Sequence, residues 1–464
     1  MNALLEVEDL EVRSDVAIVR PTSLTLRHGV PLTILGETGS GKSLLAQAIM
    51  GALAEGLRSA GTIAVRGTRF EAEADRRQLW GHTLSMLPQE PWLALDPTMR
   101  VRTQIYEGHR LVRGEPASRA ARSTGDDLQR LDLSPATAKL PQALSGGMAQ
   151  RVAFAAARAG GARITIADEP TKGLDAARRD DVVALLLSGL EQDGGLLTIT
   201  HDVEVAQALG GEVGIMLDGA LVERGPAERV LTAPQHPYTR RLIAAAPSNW
   251  PVVPRGSTGP ERVRGRGLAK TRGGHRLFDG LDVTVPAGAC ISVTGPSGCG
   301  KTTLGDILLG LLQADSGGVW RDPAIARVRF QKIYQDPPAA FARQLTLRQA
   351  IDDLLRLHGL AWEMVRALMK RLKLAEVLLD RRPEAVSGGE LQRFALLRVL
   401  LLDPVFIVAD EPTSRLDPIT QQETMDLLRE MTEERETGLM LVTHDTAIAR
   451  SFSHRIIELP GAAA

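Results

Sequence analysis

Aromatic residues make up only 3% of this 464-residue chain, too few for the stacked rings that hold single-stranded nucleic acid. Charge of one sign is missing as well. Fifty-five Lys and Arg face 56 Asp and Glu, a net charge of −1, so no global basic field draws the protein to DNA or RNA. There are two cysteines, Cys290 on an apolar stretch and Cys299 in a glycine-rich loop. Neither reads as a staple or a metal ligand, a usage that fits a reducing compartment. Met1 to Leu10 carries three acids and no basic segment, so no secretory signal is expected. No uncharged apolar run reaches the ~18 residues that span a bilayer. The longest candidate, Val399 to Ala409, is broken by Asp403 and Pro404. A soluble, cytoplasmic protein is expected unless a membrane partner holds it. What is plentiful is apolar: 44% of residues are hydrophobic, ample for packed cores. The length allows about three average domains, or two if they are large α/β units.

Two stretches organise the chain. Gly36-Glu37-Thr38-Gly39-Ser40-Gly41-Lys42-Ser43 recurs as Gly295-Pro296-Ser297-Gly298-Cys299-Gly300-Lys301-Thr302. Each follows a short apolar run that reads as a buried strand (Leu32 to Leu35; Ile291 to Thr294). Each opens a helical pattern, Leu44, Leu45, Ala48 and Ile49 in one and Leu304, Ile307, Leu308 and Leu311 in the other. Strand, glycine loop and helix together are the context of a phosphate-binding loop. Gly36, Gly39, Gly41 and their counterparts Gly295, Gly298, Gly300 let the backbone N–H groups converge on phosphate oxygens, at the positive end of a helix. Lys42 and Lys301 can then reach the β- and γ-phosphates, and Ser43 and Thr302 offer hydroxyls to Mg²⁺. The bland alternative is a glycine turn that happens to precede a helix, and two copies in matching contexts argue against it.

The rest of the chain repeats too. From loop lysine to the serine of a Ser-Gly-Gly motif is 103 residues in the first half (42 to 145) and 86 in the second (301 to 387). From that serine to an Asp-Glu pair is 23 in both (168; 410), and from the Asp to the histidine of a Thr-His-Asp motif is 33 and 34 (201; 444). Ordered motifs at such spacing indicate a tandem duplication. Apolar periodicity stops between Ala246 and Pro260, where Pro, Gly and Ser accumulate, a linker signature. The expected layout is a first domain over 1–246, a linker over 247–262 and a second domain over 263–464. A basic cluster follows (Arg262, Arg264, Arg266, Lys270, Arg272, Arg276). It reads as a solvated linker end, the alternative being a contact with anionic lipid or nucleotide.

The runs before the Asp-Glu and Thr-His pairs are nearly all apolar (Ile164 to Ala167, Phe406 to Ala409, Leu196 to Ile199, Leu439 to Val442). Strands of that kind are buried on both faces of a mainly parallel sheet, so the fold class is α/β. Polar, helix-favouring segments (Val101 to Leu140; Leu345 to Arg382) predict a helical subdomain in each half. Ser145-Gly146-Gly147 and Ser387-Gly388-Gly389 each stand at a predicted helix start, a second anion site built of hydroxyl, open amides and helix dipole. Asp168 and Asp410 end apolar strands, where a carboxylate can hold Mg²⁺ through its water shell. Glu169 and Glu411, next along, can orient or deprotonate an attacking water.

This combination, with Pro170-Thr171 and Pro412-Thr413 after the acids, resembles the ATP-binding cassette (ABC) family over nearly the whole chain. The resemblance implies two tandem P-loop ATPase domains, each with an antiparallel β subdomain beside the parallel core, that hydrolyse ATP with Mg²⁺. It implies that cassettes pair head to tail, so that Lys42 and Ser43 share a nucleotide with Ser387, Gly388 and Gly389, and Lys301 and Thr302 with Ser145, Gly146 and Gly147. His201 and His444 would then sense the γ-phosphate. Gln89 and Gln335 match the family's Q-loop glutamine, which meets Mg²⁺ and the water while its loop touches a membrane partner. Asp175 and Asp417 match the D-loop. One departure stands out: near Arg13 and Arg272 there is no aromatic residue to stack on adenine, leaving the guanidinium planes of Arg13 or Arg272 as candidates. Arg415 also stands in the second D-loop, where the family commonly has a small residue.

The run His236-Pro237-Tyr238-Thr239-Arg240-Arg241-Leu242-Ile243, followed by Ala246-Pro247-Ser248, is similar to the tail of importer ATPases for di- and oligopeptides and nickel. So is the Q-loop run from Gln89 to Pro97. The second half lacks such a tail, and no cysteine cluster for an iron–sulfur centre occurs. The resemblance implies two transmembrane permease subunits and an extracytoplasmic substrate-binding protein as partners, no nucleic acid, and a peripheral place on the cytoplasmic face of the inner membrane. Rival readings are a soluble tandem cassette acting on ribosomes or nucleic acid, which the short Pro/Gly linker and near-zero charge disfavour, and an accessory cassette of phosphonate breakdown.

Overall fold

The computed structural model describes residues 3–88, 94–172, 174, 176–190, 194–253, 259–296, 298–414 and 416–460. The chain divides into two compact units, Met1–Ala244 and Ala245–Ala464. The expected Gln89 and Asp175, and Arg415, lie outside the described residues.

In the first unit, β1 (Ala3–Arg13), β2 (Ala17–Arg27), β4 (Arg58–Val65) and β5 (Thr68–Phe70) form an antiparallel sheet in the order β2-β1-β4-β5. A second sheet runs β10-β9-β3-β8-β7-β6. It is built from β3 (Leu32–Leu35), β6 (Leu84–Leu87), β7 (Ile164–Asp168), β8 (Gly195–Thr200), β9 (Glu212–Leu217) and β10 (Ala220–Pro226). All its neighbours are parallel except β9 and β10. β3, β7 and β8 are buried at every residue, as all-apolar strands covered on both faces must be. Helices α1 (Lys42–Met50), α2 (Glu73–Arg77), α6 (Ala176–Ser188), α7 (Val203–Leu209), α8 (Ala227–Thr232) and α9 (Pro237–Ala244) surround this core. The expected helical segment contains α3 (Val101–Glu107), a π-turn over Gly108–Val112 and α4 (Ala117–Arg130), and α5 (Gly146–Ala159) follows.

The second unit repeats the plan, with fewer strands among the described residues. Its antiparallel sheet is β12-β11-β14 (β11 Glu261–Arg272, β12 His275–Pro286, β14 Ser316–Arg321). Its parallel sheet is β15-β16-β17-β13-β18, from β13 (Cys290–Thr294), β15 (Phe330–Ile333), β16 (Phe406–Asp410), β17 (Gly438–Val442) and β18 (Arg455–Glu458). The helices are α10 (Lys301–Leu309), α11 (Leu347–His358), α12 (Trp362–Arg371), α13 (Gly388–Leu401), α14 (Pro418–Glu434) and α15 (Thr446–Phe452). Among the described residues no helix is long and apolar enough to cross a membrane.

Three expectations need correction. The basic cluster is not a linker end: Arg262 to Arg272 lie in β11 and Arg276 in β12. Its charges pair locally, Arg264 with Glu261, Lys270 with Asp315 and Arg276 with Asp279. The start of the expected linker is structured too. Trp250 is buried in the second unit's core beside Ile448 and Phe452 of α15. Its indole N–H donates to the Ala245 carbonyl (2.9 Å) and its own carbonyl accepts from the Ser451 hydroxyl (3.3 Å). Leu311, counted on the helix face, is 64% exposed, because α10 stops at Gly310, which is left-handed (φ 79°), a common helix terminator.

Candidate active sites

Parallel pairing decides where the motifs meet. In the order β3-β8-β7, the loop after β3, His201 after β8, and Asp168 and Glu169 at the end of β7 all fall on the same carboxyl edge of the sheet. The order β13-β17-β16 does the same for the second loop, His444, and Asp410 and Glu411. That edge is where ligands bind in open α/β sheets.

Each phosphate loop closes onto its helix through a left-handed glycine, Gly41 (φ 97°) before α1 and Gly300 (φ 104°) before α10. A Cβ there would also meet Val19 at 3.0 Å and Leu277 at 2.9 Å, so no larger residue fits. Lys42 is buried, and its ammonium donates to the carbonyls of Gly36 (2.8 Å) and Glu37 (2.6 Å). Lys301 does the same to Gly295 (2.7 Å) and Pro296 (3.0 Å). The loop's own carbonyls thereby aim the cation along the loop. Gly39 and Gly298 are both left-handed (φ 88° and 85°).

The carboxylate pairs divide their work by environment. Asp168 and Asp410 are buried, and desolvation pushes both carboxyls above the usual range, against the opposing pull of the Ser43 and Thr302 hydroxyls. The Ser43 hydroxyl donates to Asp168 Oδ1 at 3.1 Å. A hydroxyl and an under-compensated carboxylate make an all-oxygen donor set, the kind a hard divalent cation takes, so these residues fit Mg²⁺. Bound there with ATP, Mg²⁺ would neutralise charge on the phosphate oxygens. Glu169 and Glu411 go the other way. Burial raises them, but His201 and Lys42 in one unit, and His444, Lys301 and Gln335 in the other, hold both below the usual carboxylate range. His201 Nδ1 donates to Glu169 (2.8 Å), as His444 Nδ1 does to Glu411 (2.9 Å), and Gln335 Nε2 donates to the other Glu411 oxygen (2.8 Å). Both glutamates have a left-handed backbone (φ 49° and 46°), the conformational cost that functional sites carry. An ionised carboxylate held by a histidine at a strand end can accept a hydrogen bond from an attacking water and orient it.

The structure thus brings together Lys42, Ser43, Asp168, Glu169 and His201, and separately Lys301, Thr302, Gln335, Asp410, Glu411 and His444. Within their own units the Ser-Gly-Gly motifs start helices elsewhere. Ser145 caps α5 through the Met148 N–H, and Ser387 caps α13 in a reciprocal box with Glu390. Asp417 caps α14 through the Thr420 N–H (3.0 Å).

A cavity of about 560 Å³ in the second unit is lined by Lys301, Thr302, Gln335, Asp410 and Glu411, together with Arg272 and His275. Arg272 was legible as a base-contacting candidate; His275, the first residue of β12, was missed, because a lone histidine carries no motif. Lys332 was missed as well. Its ammonium pairs with Asp306 (2.6 Å) and lies 3.9 Å from Asp410. Asp202 and Asp445, read only as part of the His motif, cap α7 and α15.

Two phosphate loops, each facing a strand-end Asp-Glu pair and a histidine, define a P-loop ATPase built of two cassettes. The family description "ABC transporter" matches residues 19–172 and 278–414, more than half of the chain. The protein belongs to the ABC transporter family and is an ATPase. The peptidoglycan transport ATP-binding protein YejF of Agrobacterium fabrum is 32% identical over 495 residues, covering 98% of this chain and 90% of the relative. The glutathione import ATP-binding protein GsiA of Salmonella typhi is 32% identical over 508 residues, covering 95% and 81%. Among solved structures, RNase-L inhibitor superposes with a TM-score of 0.67 at 20% identity, covering 98% of this chain and 90% of that one. At that identity the likeness is one of fold.

Proposed function

We propose that this chain is the ATP-hydrolysing subunit of an importer. It drives uptake of peptide-containing cargo through two transmembrane permeases supplied by an extracytoplasmic binding protein, at the cytoplasmic face of the inner membrane. The observation that carries this reading is the likeness, over nearly the full length and through both cassettes, to import and transport ATP-binding proteins. Peptidoglycan and glutathione both contain peptide bonds, which favours peptides over nickel or another metal chelate as cargo. The ribosomal reading has only a shared fold behind it.

Residues of the second unit supply the landing place. A groove of about 630 Å³ beside the Gln335 loop is lined by Leu311, Arg321, Arg327, Lys332, Tyr334 and Arg398. Leu311 and Tyr334 are 64% and 41% exposed. Apolar faces ringed by cations suit an amphipathic permease segment carrying acidic residues.

Both ATP sites are composite in this proposal, each phosphate loop being completed by the Ser-Gly-Gly motif of the other cassette. A Cβ at Gly146, Gly147 or Gly388 would meet nothing within 4 Å, and none of the three has a positive φ. Nothing inside the fold requires glycine there, whereas a nucleotide approaching the helix amides from outside would. The test is co-purification with two candidate permease subunits from the same genome, followed by transport assays with labelled peptide and labelled nickel. Leu311→Asp with Tyr334→Ala should weaken the association at least tenfold. Sedimentation with ribosomes and no permease association would reject the importer reading.

A further inference from the structure

The tail motif contains one contact that ATP chemistry alone does not explain. Tyr238, in α9, is 9% exposed, and its hydroxyl oxygen accepts a hydrogen bond from the Glu37 N–H at 3.0 Å. Glu37 is the second residue of the first phosphate loop. The same Gly36–Glu37 peptide unit presents its carbonyl to the Lys42 ammonium at 2.8 Å. Tyrosine and lysine therefore hold opposite edges of one peptide plane, and a rotation of that plane would move the lysine off its carbonyl.

Tyr238 is itself well anchored. Glu223 of β10 accepts from the Gln235 and His236 amides (2.9 and 3.0 Å), and His236 Nδ1 accepts from the Tyr238 amide (3.2 Å). These bonds fix the turn from which α9 starts and so fix where the phenol points.

The second loop holds its lysine by the equivalent carbonyl, Gly295, at 2.7 Å. Its next residue is Pro296, which has no N–H to offer and whose ring fixes φ. One loop is stiffened by a covalent ring and the other by a hydrogen bond from a distant helix.

We propose that Tyr238 is a positioning residue of the first nucleotide site alone, doing for Gly36–Glu37 what the proline ring does for Gly295–Pro296. The two ATP sites then differ in how their lysines are aimed, and only the first responds to the tail helix. Because α9 is the last helix of the first unit and ends at its boundary, Ala244, whatever displaces α9 loosens the first site and leaves the second unchanged.

Tyr238→Phe removes only the hydroxyl. Binding of a fluorescent N-methylanthraniloyl ATP is measured in two backgrounds, Lys301→Ala, which leaves the first site, and Lys42→Ala, which leaves the second. A net hydrogen bond is worth about 1 kcal/mol, so Tyr238→Phe should weaken binding about fivefold with Lys301→Ala and leave it unchanged with Lys42→Ala. In a chain carrying Glu37→Pro, where residue 37 has no N–H, Tyr238→Phe should add nothing. An equal loss in both lysine backgrounds, or no loss in the first, overturns the proposal.

Discussion

Replacing Glu169 and Glu411 together by Gln tests the chemistry most directly. Glutamine keeps the Cβ and the shape, so the left-handed backbone at 169 and 411 is strained as before; what goes is the negative charge. The phosphate grip is built from other groups, since Lys42 and Lys301 are held by carbonyls of their own loops. ATP binding should therefore persist. General base catalysis contributes about 10²- to 10⁴-fold, so phosphate release should fall by at least about 100-fold, or ~2.7 kcal/mol of barrier. Each single variant retains one complete carboxylate–histidine pair and should keep measurable turnover. Phosphate release at saturating ATP and nucleotide binding, measured on the same preparation, give both readouts. Turnover within about tenfold of the parent, with ATP still bound, would refute the assignment of these glutamates.

The same pair sets a pH dependence. Burial pushes His444 down, but its hydrogen bond to Glu411 and the charges of Glu411 and Asp445 raise it above the ordinary histidine value, while Glu411 is held low. The histidine's contribution to stability is complete below its unfolded value, about 6.5, and is lost as pH rises through the higher folded one. The glutamate's is complete above its unfolded value and is lost as pH falls through the lower folded one. An NMR titration should find the His444 midpoint above about 6.5, and Glu411→Gln should lower it; an unchanged midpoint contradicts the pairing. Trp250→Ala should destabilise the second unit by about 3 kcal/mol or more, the usual cost of emptying a buried aromatic site. Urea unfolding measures it, and a loss below about 1 kcal/mol would return Trp250 to a solvated linker.

The chemistry was legible in the sequence because phosphate and magnesium chemistry demands residue types that cannot be exchanged at fixed local spacing. A loop that must pass through the left-handed Gly41 or Gly300 next to Val19 or Leu277 records its geometry in its residues. Strands buried on both faces, such as Ile164–Asp168, record it in unbroken apolar runs. Three things only the tertiary structure decided. The basic run from Arg262 became a strand because β11 pairs on one side with β12 and on the other with β14, about fifty residues further on, where Asp315 also meets Lys270. Trp250 left the linker because its partners, Phe452 and Ser451, arrive about two hundred residues later. Tyr238 met Glu37 across a comparable separation. Local spacing encodes what one segment must do by itself. Which distant segment completes it depends on how the sheets and helices close, and no window of sequence contains that.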